Sequence, residues 1–543
     1  MSLLDLPAEL VLAIIEHVPP ADHYNFARAC KWTAACSREI LKHHQKCAAE
    51  YRVISDILPL TVPKTLRAVI TDPIAAFHVR SLEYWGCRVE WTDWQEFVKG
   101  GKSLPPAKAS QLEGSWKWSE DEIAYLDRSV WESMGISWLD EEGIGSLSSG
   151  NDWLLKTALL AQCPRIEKFY VADCDYTNES FLHVFPWEHL LNCIPYMLYE
   201  DTNPWPTGFE NLRSVAINVL DDLKEPGHDF IHDMHPWDAE LLLLLPNIES
   251  LYLRGLDFHA DDSILDDDED LRDWRSCFPS GLKHLYLDSC MCTESDFLGL
   301  VSDHEGLESF AFISCRFGEL EPAGTEFFNL MNKLVCDYST TLKSLVFDRT
   351  SISEWERLEL DKGFCPPLDE EFQELRCTSV DFHGERFTTS ESEFADRLQK
   401  RVPSKLEHLR LVYEWPIHDR RGASYLNSAL SSFLTKRGPS SLKSIDIREA
   451  HRSSPTTSAY RQTRELCAAQ GIDLITCDEE AAASEHTNAF PKPICKSGME
   501  TRPRLSEELQ EFARSEEWLG SSTPSWPSRP RLTREVLGLM ETQ

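Results

Sequence analysis

The first candidates for chemistry are the histidines of the segment HDFIHDMH, residues 228–235. His228 and His232 are four residues apart, so on a helix both imidazoles would share one face and could bind zinc. The segment includes a third imidazole, His235. However, the segment directly follows EPG, which is typical of a loop, and it lacks the glutamate of an H-E-x-x-H motif. We therefore interpret it as a polar connector and keep a metal-dependent hydrolase at His228 and His232 as a third functional alternative.

The 17 cysteines do not form a reactive or metal-binding pattern. Cys290 and Cys292 make only a C-x-C pair, and an odd number of cysteines would leave one unpaired in an oxidising compartment. The sequence contains no P-loop, G-x-S-x-G or G-x-G-x-x-G motif. It therefore predicts a protein that is not an enzyme, with reduced thiols and with no catalytic residue, metal ligand or cofactor.

The charge balance argues against two classes of partner. Among 543 residues, 90 acidic side chains outnumber 54 basic ones, which gives a formal net charge of −36. Such a chain repels phosphate backbones and anionic lipid, so we expect neither nucleic acid nor a membrane as partner. The acidic run DDSILDDDED, residues 261–270, lacks the spacing of an EF-hand loop and is interpreted as a solvated loop rather than a calcium site.

The apolar stretch from Leu10 to Val18 has the pattern of a helix and not of an export signal. No basic residue precedes it, Glu9 stands directly before it and Glu16 interrupts it. No run in the sequence approaches the roughly 18 apolar residues of a membrane-spanning helix. We therefore expect a cytoplasmic and/or nuclear protein.

Three short helices are predicted at the start of the chain. Leu10, Ile14 and Val18 fall at i, i+4 and i+8, and two prolines at 19–20 end this first helix. The segment HYNFARACKW, residues 23–32, predicts a second helix. The segment CSREILKHHQKCAAEY, residues 36–51, predicts a third. On pattern alone, these helices could simply cap a larger domain.

The residues of this opening segment resemble the F-box motif over about residues 2–48. The family shows Leu-Pro-x-Glu-Leu, spaced apolar residues along a helix, a Pro-x-Asp turn and a closing Cys-Lys-x-Trp segment. The matching residues are Leu6, Pro7, Glu9, Leu10, Ile14, Ile15, Val18, Pro20, Asp22, Phe26, Cys30, Lys31 and Trp32. The sequence departs from the family where HYN at 23–25 replaces the usual leucine, and where Cys-Lys runs directly into Trp32.

The resemblance implies a binding module for a Skp-type adaptor, which links F-box proteins to a cullin–RING ubiquitin ligase. The expected mode is a helix packed in a groove of the partner. The predicted adaptor-binding residues are Leu6, Pro7, Leu10, Ile14, Ile15 and Val18. Ile15, Val18 and Cys30 could equally belong to the interior of the module.

The middle of the chain repeats one apolar template, with positions at 0, +3 and +5. The copies begin at Val79, Ile166, Leu212, Ile248, Leu282, Leu307, Leu342, Leu406 and Leu442, with a weaker copy in FQELRCTSVDF. Four copies place cysteine at +8, at Cys87, Cys174, Cys290 and Cys315. This resembles the L-x-x-L-x-L-x-x-C core of leucine-rich repeats, in which a short strand points alternate residues inward and the cysteine is structural.

The predicted fold class is therefore α/β, with a short N-terminal three-helix F-box followed by an irregular leucine-rich-repeat-like solenoid with a parallel sheet. Several successive copies lie 34 to 36 residues apart, which is longer than a plain leucine-rich repeat, so helices and loops must connect the strands. The predicted domains are the F-box at 1–48, the solenoid at 49–478 with insertions near 100–150 and 258–272, and a mostly disordered tail at 479–543.

The favoured function is that of a substrate receptor in a Skp–cullin–F-box ligase, with the adaptor on the F-box and a target protein on the repeats. Outward strand positions at +4 and +6 of the repeats are the expected target contacts, because aromatic and arginine side chains anchor interfaces. These residues are Tyr170, Tyr252, Arg254, Tyr286 and Arg410. They could also coat a solvated sheet, and the second functional alternative is a scaffold whose F-box has drifted, as the HYN replacement suggests.

Overall fold

The part of the chain that the computed structural model describes covers the N-terminal helices and the strands of the repeats. The described residues are 6–56, 61–84, 118–126, 153–172, 194, 205–219, 232–233, 236–257, 281–288, 290–292, 300–301, 304, 306–313, 316–317, 333–334, 336–348, 374–381, 390–413, 421–437, 441–449 and 460–476. The predicted insertion at 258–272, the tail at 479–543 and most of the insertion at 100–150 lie outside these residues. So do Cys87, Cys174, Cys315, His228 and His235.

The N-terminal module consists of four helices and one turn, α1 (Ala8–His17), a 3-10 turn (Pro20–Asp22), α2 (His23–Arg28), α3 (Lys31–Cys36) and α4 (Arg38–Tyr51). Pro7 occupies the N-cap position of α1. Helix α4 continues past residue 48, the predicted end of the F-box.

The second predicted helix is divided in two at Cys30. The backbone of Cys30 is extended, with φ −164° and ψ 170°, and Cys30 is the N-cap of α3. The Cys30 amide donates to Thr33 Oγ1 at 3.1 Å, and the Thr33 amide donates to Cys30 Sγ at 3.4 Å. This reciprocal pair is a capping box, and it satisfies amides that would otherwise lack partners at the start of α3.

Twelve parallel strands form the main sheet in the described residues, and their spatial order follows the order of the chain. The strands of this sheet are β1 (Val53–Ser55), β2 (Ser81–Tyr84), β3 (Lys168–Ala172), β4 (Ser214–Val219), β6 (Ser250–Arg254), β8 (His284–Asp288), β10 (Ser309–Ile313), β12 (Ser344–Asp348), β13 (Cys377–Asp381), β14 (His408–Tyr413), β15 (Ser444–Glu449) and β16 (Asp473–Thr476). Each unit therefore adds one strand to the edge of the sheet formed by the units before it, so the α/β class with N-terminal helices and a parallel sheet is confirmed.

The repeat template corresponds to the strands. Its nine full copies coincide with β2, β3, β4, β6, β8, β10, β12, β14 and β15, and the weaker copy coincides with β13. The template positions whose side chains are described are buried, as in the copy Leu282, Leu285 and Leu287. One face of the sheet thus forms a continuous apolar core.

Helices cover this core face of the sheet. They are α5 (Thr61–Thr71), α6 (Pro73–His78), α7 (Glu120–Leu126), α8 (Trp153–Gln162), α9 (Thr207–Asn211), α10 (Pro236–Leu243), α11 (Glu391–Arg401), α12 (Arg421–Arg437) and α13 (Arg461–Gln470). Helix α10 includes the first six residues of the apolar segment DAELLLLLPN, residues 238–247, and is one of the connecting helices that the spacing of the copies requires. Buried residues such as Leu159 of α8 and Leu430 of α12 belong to the same core as the strands.

A second, smaller parallel sheet has three strands that follow closely after β6, β8 and β10, and a fourth that lies between β4 and α10 in the sequence. Its strands are β5 (His232–Asp233), β7 (Leu256–Asp257), β9 (Met291–Cys292) and β11 (Arg316–Phe317). Gly255 separates β6 from β7 with φ 60°, a backbone conformation that favours glycine. Cys290, before β9, is buried, and its thiol donates to the Leu253 carbonyl oxygen at 3.5 Å. Cys290 is thus a packing residue of the turn.

We expect Gly208→Ala to destabilise the protein by about 3 kcal/mol, because helices α8 and α9 approach too closely for a side chain at this position. A Cβ at Gly208 would lie 1.8 Å from the Leu160 carbonyl oxygen. Gly306→Ala is the matched control, since a Cβ there meets nothing within 4 Å. Urea unfolding measures both variants, and equal midpoints for the two would contradict this account of the packing.

Within the described ranges, no helix combines the length and the apolar character needed to cross a membrane.

Candidate functional site

Exposed apolar side chains are concentrated on the N-terminal module. Seven large hydrophobic residues are exposed in the described part of the chain, and five of them lie between residues 10 and 32. These five are Leu10, Leu12, Ile14, Tyr24 and Trp32, which we call the N-terminal apolar surface. The other two, Tyr125 and Ile475, lie far away in the sequence. Because large exposed apolar patches often mark interaction sites, this surface is the candidate functional site.

Helix α1 is apolar on more faces than its own module buries. Val11 and Ile15 point inward and are 0% and 2% exposed. Leu10 and Ile14, one turn apart on another face, are 52% and 37% exposed, and Leu12 is 44% exposed. A helix that is apolar around most of its circumference is normally buried on all sides. Helix α1 therefore leaves apolar side chains exposed that its own module does not cover.

The structure separates the predicted adaptor-binding residues into three groups. Leu10 and Ile14 are exposed, as is Pro7 at the helix N-cap. Leu6 and Val18 are half-buried. Ile15 is almost fully buried, so it belongs to the interior of the module and not to its exposed surface. The reason is the helical period, since Ile15 shares its face with Val11.

His23 explains how the module accommodates the HYN departure. This histidine is buried, and its Nε2 lies 3.1 Å from the Ile15 carbonyl oxygen. Because a carbonyl only accepts, Nε2 donates and Nδ1 is left to accept from His44 Nε2 at 2.8 Å. His44 Nδ1 in turn accepts from His78 Nε2 at 2.8 Å. A polar chain thus takes the place of a leucine and ties α1 to α4 and α6.

In the hydrogen-bonded series His23, His44 and His78, the central His44 and the terminal His78 are both neutral. Burial, together with the nearby His78 and His23, lowers the pKa of His44 to about 4. Burial, together with Arg80 and Arg165, lowers the pKa of His78 to about 4. Neutral imidazoles each offer one donor and one acceptor, which is what a chain of N–H···N bonds requires. The chain is therefore a structural link between the module and the first repeat unit.

The predicted target-binding aromatics form a cluster of their own on the other face of the sheet. Tyr252 and Tyr286 pair in register across β6 and β8, and Ala216 and Ala311 pair with them on the outer sides. Tyr252 is 1% and Tyr286 6% exposed, while Tyr170 packs against the cluster and is half-buried. All three tyrosines lie on the face of the sheet that the repeat register predicts. The expected exposure of Tyr252 and Tyr286 is wrong, because side chains on the neighbouring strands pack against their rings.

The two predicted arginines are bound to carboxylates of neighbouring strands. Arg410 Nε donates to Asp446 Oδ2 at 3.1 Å, and both side chains are nearly fully buried. Arg254 Nε lies 3.7 Å from Asp288 Oδ2, which also accepts from the Tyr252 hydroxyl at 2.7 Å. Arg410 was expected to be exposed and is 5% exposed. Both arginines thus neutralise buried acids of the sheet.

We expect Tyr252→Phe to lower the free energy of unfolding by about 2 kcal/mol, because it removes a hydrogen bond to a buried carboxylate. Tyr125→Phe is a matched control, since its hydroxyl donates to Gln162 Oε1 at an exposed site. That control should change stability by less than about 0.5 kcal/mol. Equilibrium unfolding in urea compares them, and a loss of the same size in both variants would contradict the assignment.

Sequence reasoning missed one group of metal-binding side chains in the N-terminal module. His43, Cys47 and Asp72 place one ligand atom each within 4.8 Å of the others, and no other such group occurs among the described residues. The i, i+4 spacing of His43 and Cys47 on α4 was the available signal, whereas Asp72 comes from beyond the helix. His232, one of the two histidines in the alternative of a metal-dependent hydrolase, lies in strand β5 and not on a helix.

The comparisons with known proteins supply no family. No protein-family model matches the chain, and a search of curated proteins finds no match to it.

Proposed function

We propose that the protein is a substrate-recognition subunit of a Skp–cullin–F-box ubiquitin ligase and that its N-terminal apolar surface binds a Skp-type adaptor. The observation that carries this proposal is the exposure of Leu10 and Ile14 on a helix whose neighbouring face, with Val11 and Ile15, is already buried. The F-box-like residues of the opening segment give the class of partner.

The proposed contact is a helix in a groove. Leu10 and Ile14 are one turn apart and would insert as neighbouring anchors, and Pro7 at the start of α1 would lie at the edge of the contact. Leu6 and Val18 are half-buried and would lose their remaining exposure in the complex. Trp32 and Tyr24 extend the apolar surface onto α2 and α3, where Arg28 lies over the Tyr24 ring at 5.5 Å.

The parallel sheet supports the second half of the proposal, in which a leucine-rich-repeat-like solenoid holds the target protein. A sheet built from successive strand–helix units offers one extended face with residues from every unit. Tyr170 and Arg254 remain partly exposed on that face and are the predicted contacts that a target could reach without repacking. Tyr252, Tyr286 and Arg410 would contact a target only if neighbouring residues moved.

The proposed mechanism is proximity and involves no bond chemistry by this chain. A target held on the sheet while the adaptor links the module to the cullin would keep a target lysine near the ubiquitin-charged enzyme. Holding two reactants together raises their effective concentration and so the rate of transfer. Specificity would then reside in the sheet and assembly in the module.

Assembly tests this function. The full chain, mixed with purified Skp-type adaptor and a cullin N-terminal region, should elute as one complex containing all three proteins. Adaptor and cullin should still associate when the chain is omitted, which confirms that these components are competent. Failure of the chain to enter the complex under those conditions would contradict the ligase assignment.

The second candidate is a scaffold that has lost adaptor binding, and His23 is the observation that favours it. A buried polar residue stands where the family has leucine, and it bonds to the Ile15 carbonyl oxygen of α1. A scaffold of this kind would keep its sheet and its targets but would not enter the adaptor–cullin complex. The same assembly experiment separates the two functions.

A further inference from the structure

We propose that His43, Cys47 and Asp72 form a binding site for a zinc-like divalent cation between the N-terminal module and the first repeat unit. His43 and Cys47 lie one turn apart on α4. Asp72 is the N-cap of α6, directly before the helix that packs against α4. The sequence alone predicted no metal site, and this inference departs from that prediction without depending on the proposed function.

The distances between the donor atoms suit a tetrahedral ion. With zinc bonds of about 2.3 Å to sulfur and about 2.1 Å to nitrogen and oxygen, ligand atoms lie about 3.4–3.6 Å apart. Cys47 Sγ is 3.6 Å from His43 Nε2 and 3.8 Å from Asp72 Oδ2. His43 Nε2 and Asp72 Oδ2 are hydrogen-bonded at 2.6 Å, so only this pair must open to admit the ion.

Two of the three donors are held in place by other contacts. Asp72 Oδ1 accepts from the Ile74 amide at 2.9 Å, which fixes the carboxylate and leaves Oδ2 directed at His43 and Cys47. Cys47 is 2% exposed and packs with Ile74 and Ala75. Outer contacts of this kind orient metal ligands and increase affinity.

His43, the third donor, lies on the side of the site through which an ion could enter from solvent. The His43 side chain is 43% exposed and the Asp72 side chain 29%, so the site faces solvent on one side. An ion held there by three protein ligands would have its fourth position filled by water. The neighbouring His44 is not a further ligand in this conformation, because both of its ring nitrogens are bonded to His23 and His78.

The donor set selects the class of ion. A thiolate, an imidazole and one carboxylate suit zinc and its neighbours among the first-row transition metals, whereas magnesium and calcium prefer oxygen ligands. Binding would release the thiol proton of Cys47. The ion would join α4 to the N-terminus of α6 and so fasten the N-terminal apolar surface to the sheet.

Cobalt(II) binding to the metal-free full chain tests the site, because a cobalt–thiolate bond produces a charge-transfer band that oxygen and nitrogen ligands do not. We expect one equivalent to give this band and zinc to remove it. Cys47→Ser should abolish the band, and His43→Gln, at a partly exposed position, should weaken binding by at least about tenfold. Cys36→Ser and His17→Gln are matched controls outside the group and should bind like the original chain.

The chain contains other cysteines, so the variants decide the result. A band that persists in Cys47→Ser, or that disappears equally in Cys36→Ser, would overturn the proposal. Absence of the band in the original chain would overturn it as well. Circular dichroism of each variant, together with the His43→Gln result, distinguishes loss of the site from loss of the fold.

Discussion

Replacing both Leu10 and Ile14 by aspartate is expected to weaken binding to a Skp-type adaptor by roughly 1000-fold. Burying a leucine or isoleucine side chain contributes about 1.5–3 kcal/mol, and each factor of ten in affinity corresponds to about 1.4 kcal/mol. Two such anchors therefore account for about three decades, and the buried carboxylates add a further penalty. Titration calorimetry with the purified adaptor measures the change.

The design of this experiment depends on the exposure of both residues. Since Leu10 and Ile14 lie outside the core of the module, the double variant should keep its helical circular dichroism. Tyr125→Asp with Ile475→Asp is the matched control, because these residues are exposed to a similar degree on other elements. Equal binding by the two double variants would contradict the assignment of α1 as the docking helix.

Lys156→Met is expected to destabilise the protein by about 3–5 kcal/mol, because it leaves a buried carboxylate without its cation. Lys156 Nζ lies 2.8 Å from Asp56 Oδ2, and both side chains are 0% exposed. The ammonium also lies 5.0 Å from the centroid of the Tyr84 ring. Urea unfolding followed by circular dichroism measures the loss.

A second variant distinguishes charge from packing at this site. Combining Lys156→Met with Asp56→Val removes both charges, and apolar replacement of a whole buried pair is often nearly neutral. The double variant should therefore be more stable than Lys156→Met alone. If the two substitutions simply added, the loss would come from packing and the account of the buried pair would be wrong.

The same pair shows why sequence reasoning missed the first strand of the sheet. β1 pairs with β2 so that Ile54 aligns with Leu82 of the template, and the next inward position falls on Asp56 rather than on an apolar residue. Asp56, which pairs with Lys156, thus interrupts the apolar pattern of β1. The template was recognisable in ten other strands because each of them places apolar residues at its core-facing positions, which alternate along a strand.

The last strand was missed for a related reason. β16 aligns Leu474 with Ile445 and Thr476 with Ile447, so a threonine occupies the second inward position of the strand. Gly471, where the first template residue would stand, instead ends α13 in a left-handed conformation at φ 71°. Strands at the end of a sheet have one neighbour only, and their sequences are accordingly less constrained.

The candidate site could be predicted only in part. The periodicity of α1 gave its bounds within a few residues, but which apolar face is exposed depends on how α1 packs with the rest of the module. The group of His43, Cys47 and Asp72 depends on the docking of α6 against α4, and no local pattern encodes a contact across 29 residues. The burial of Tyr252 and Tyr286 likewise depends on the register of three strand pairs.

Calorimetric titration of the full chain with a purified Skp-type adaptor tests the central claim most directly. We expect one adaptor per chain and a negative heat-capacity change, because the contact would bury apolar surface. A single complex in size-exclusion chromatography should accompany the heat. Absence of both signals at the highest attainable concentrations, with an adaptor that still binds a known F-box protein, would contradict the claim.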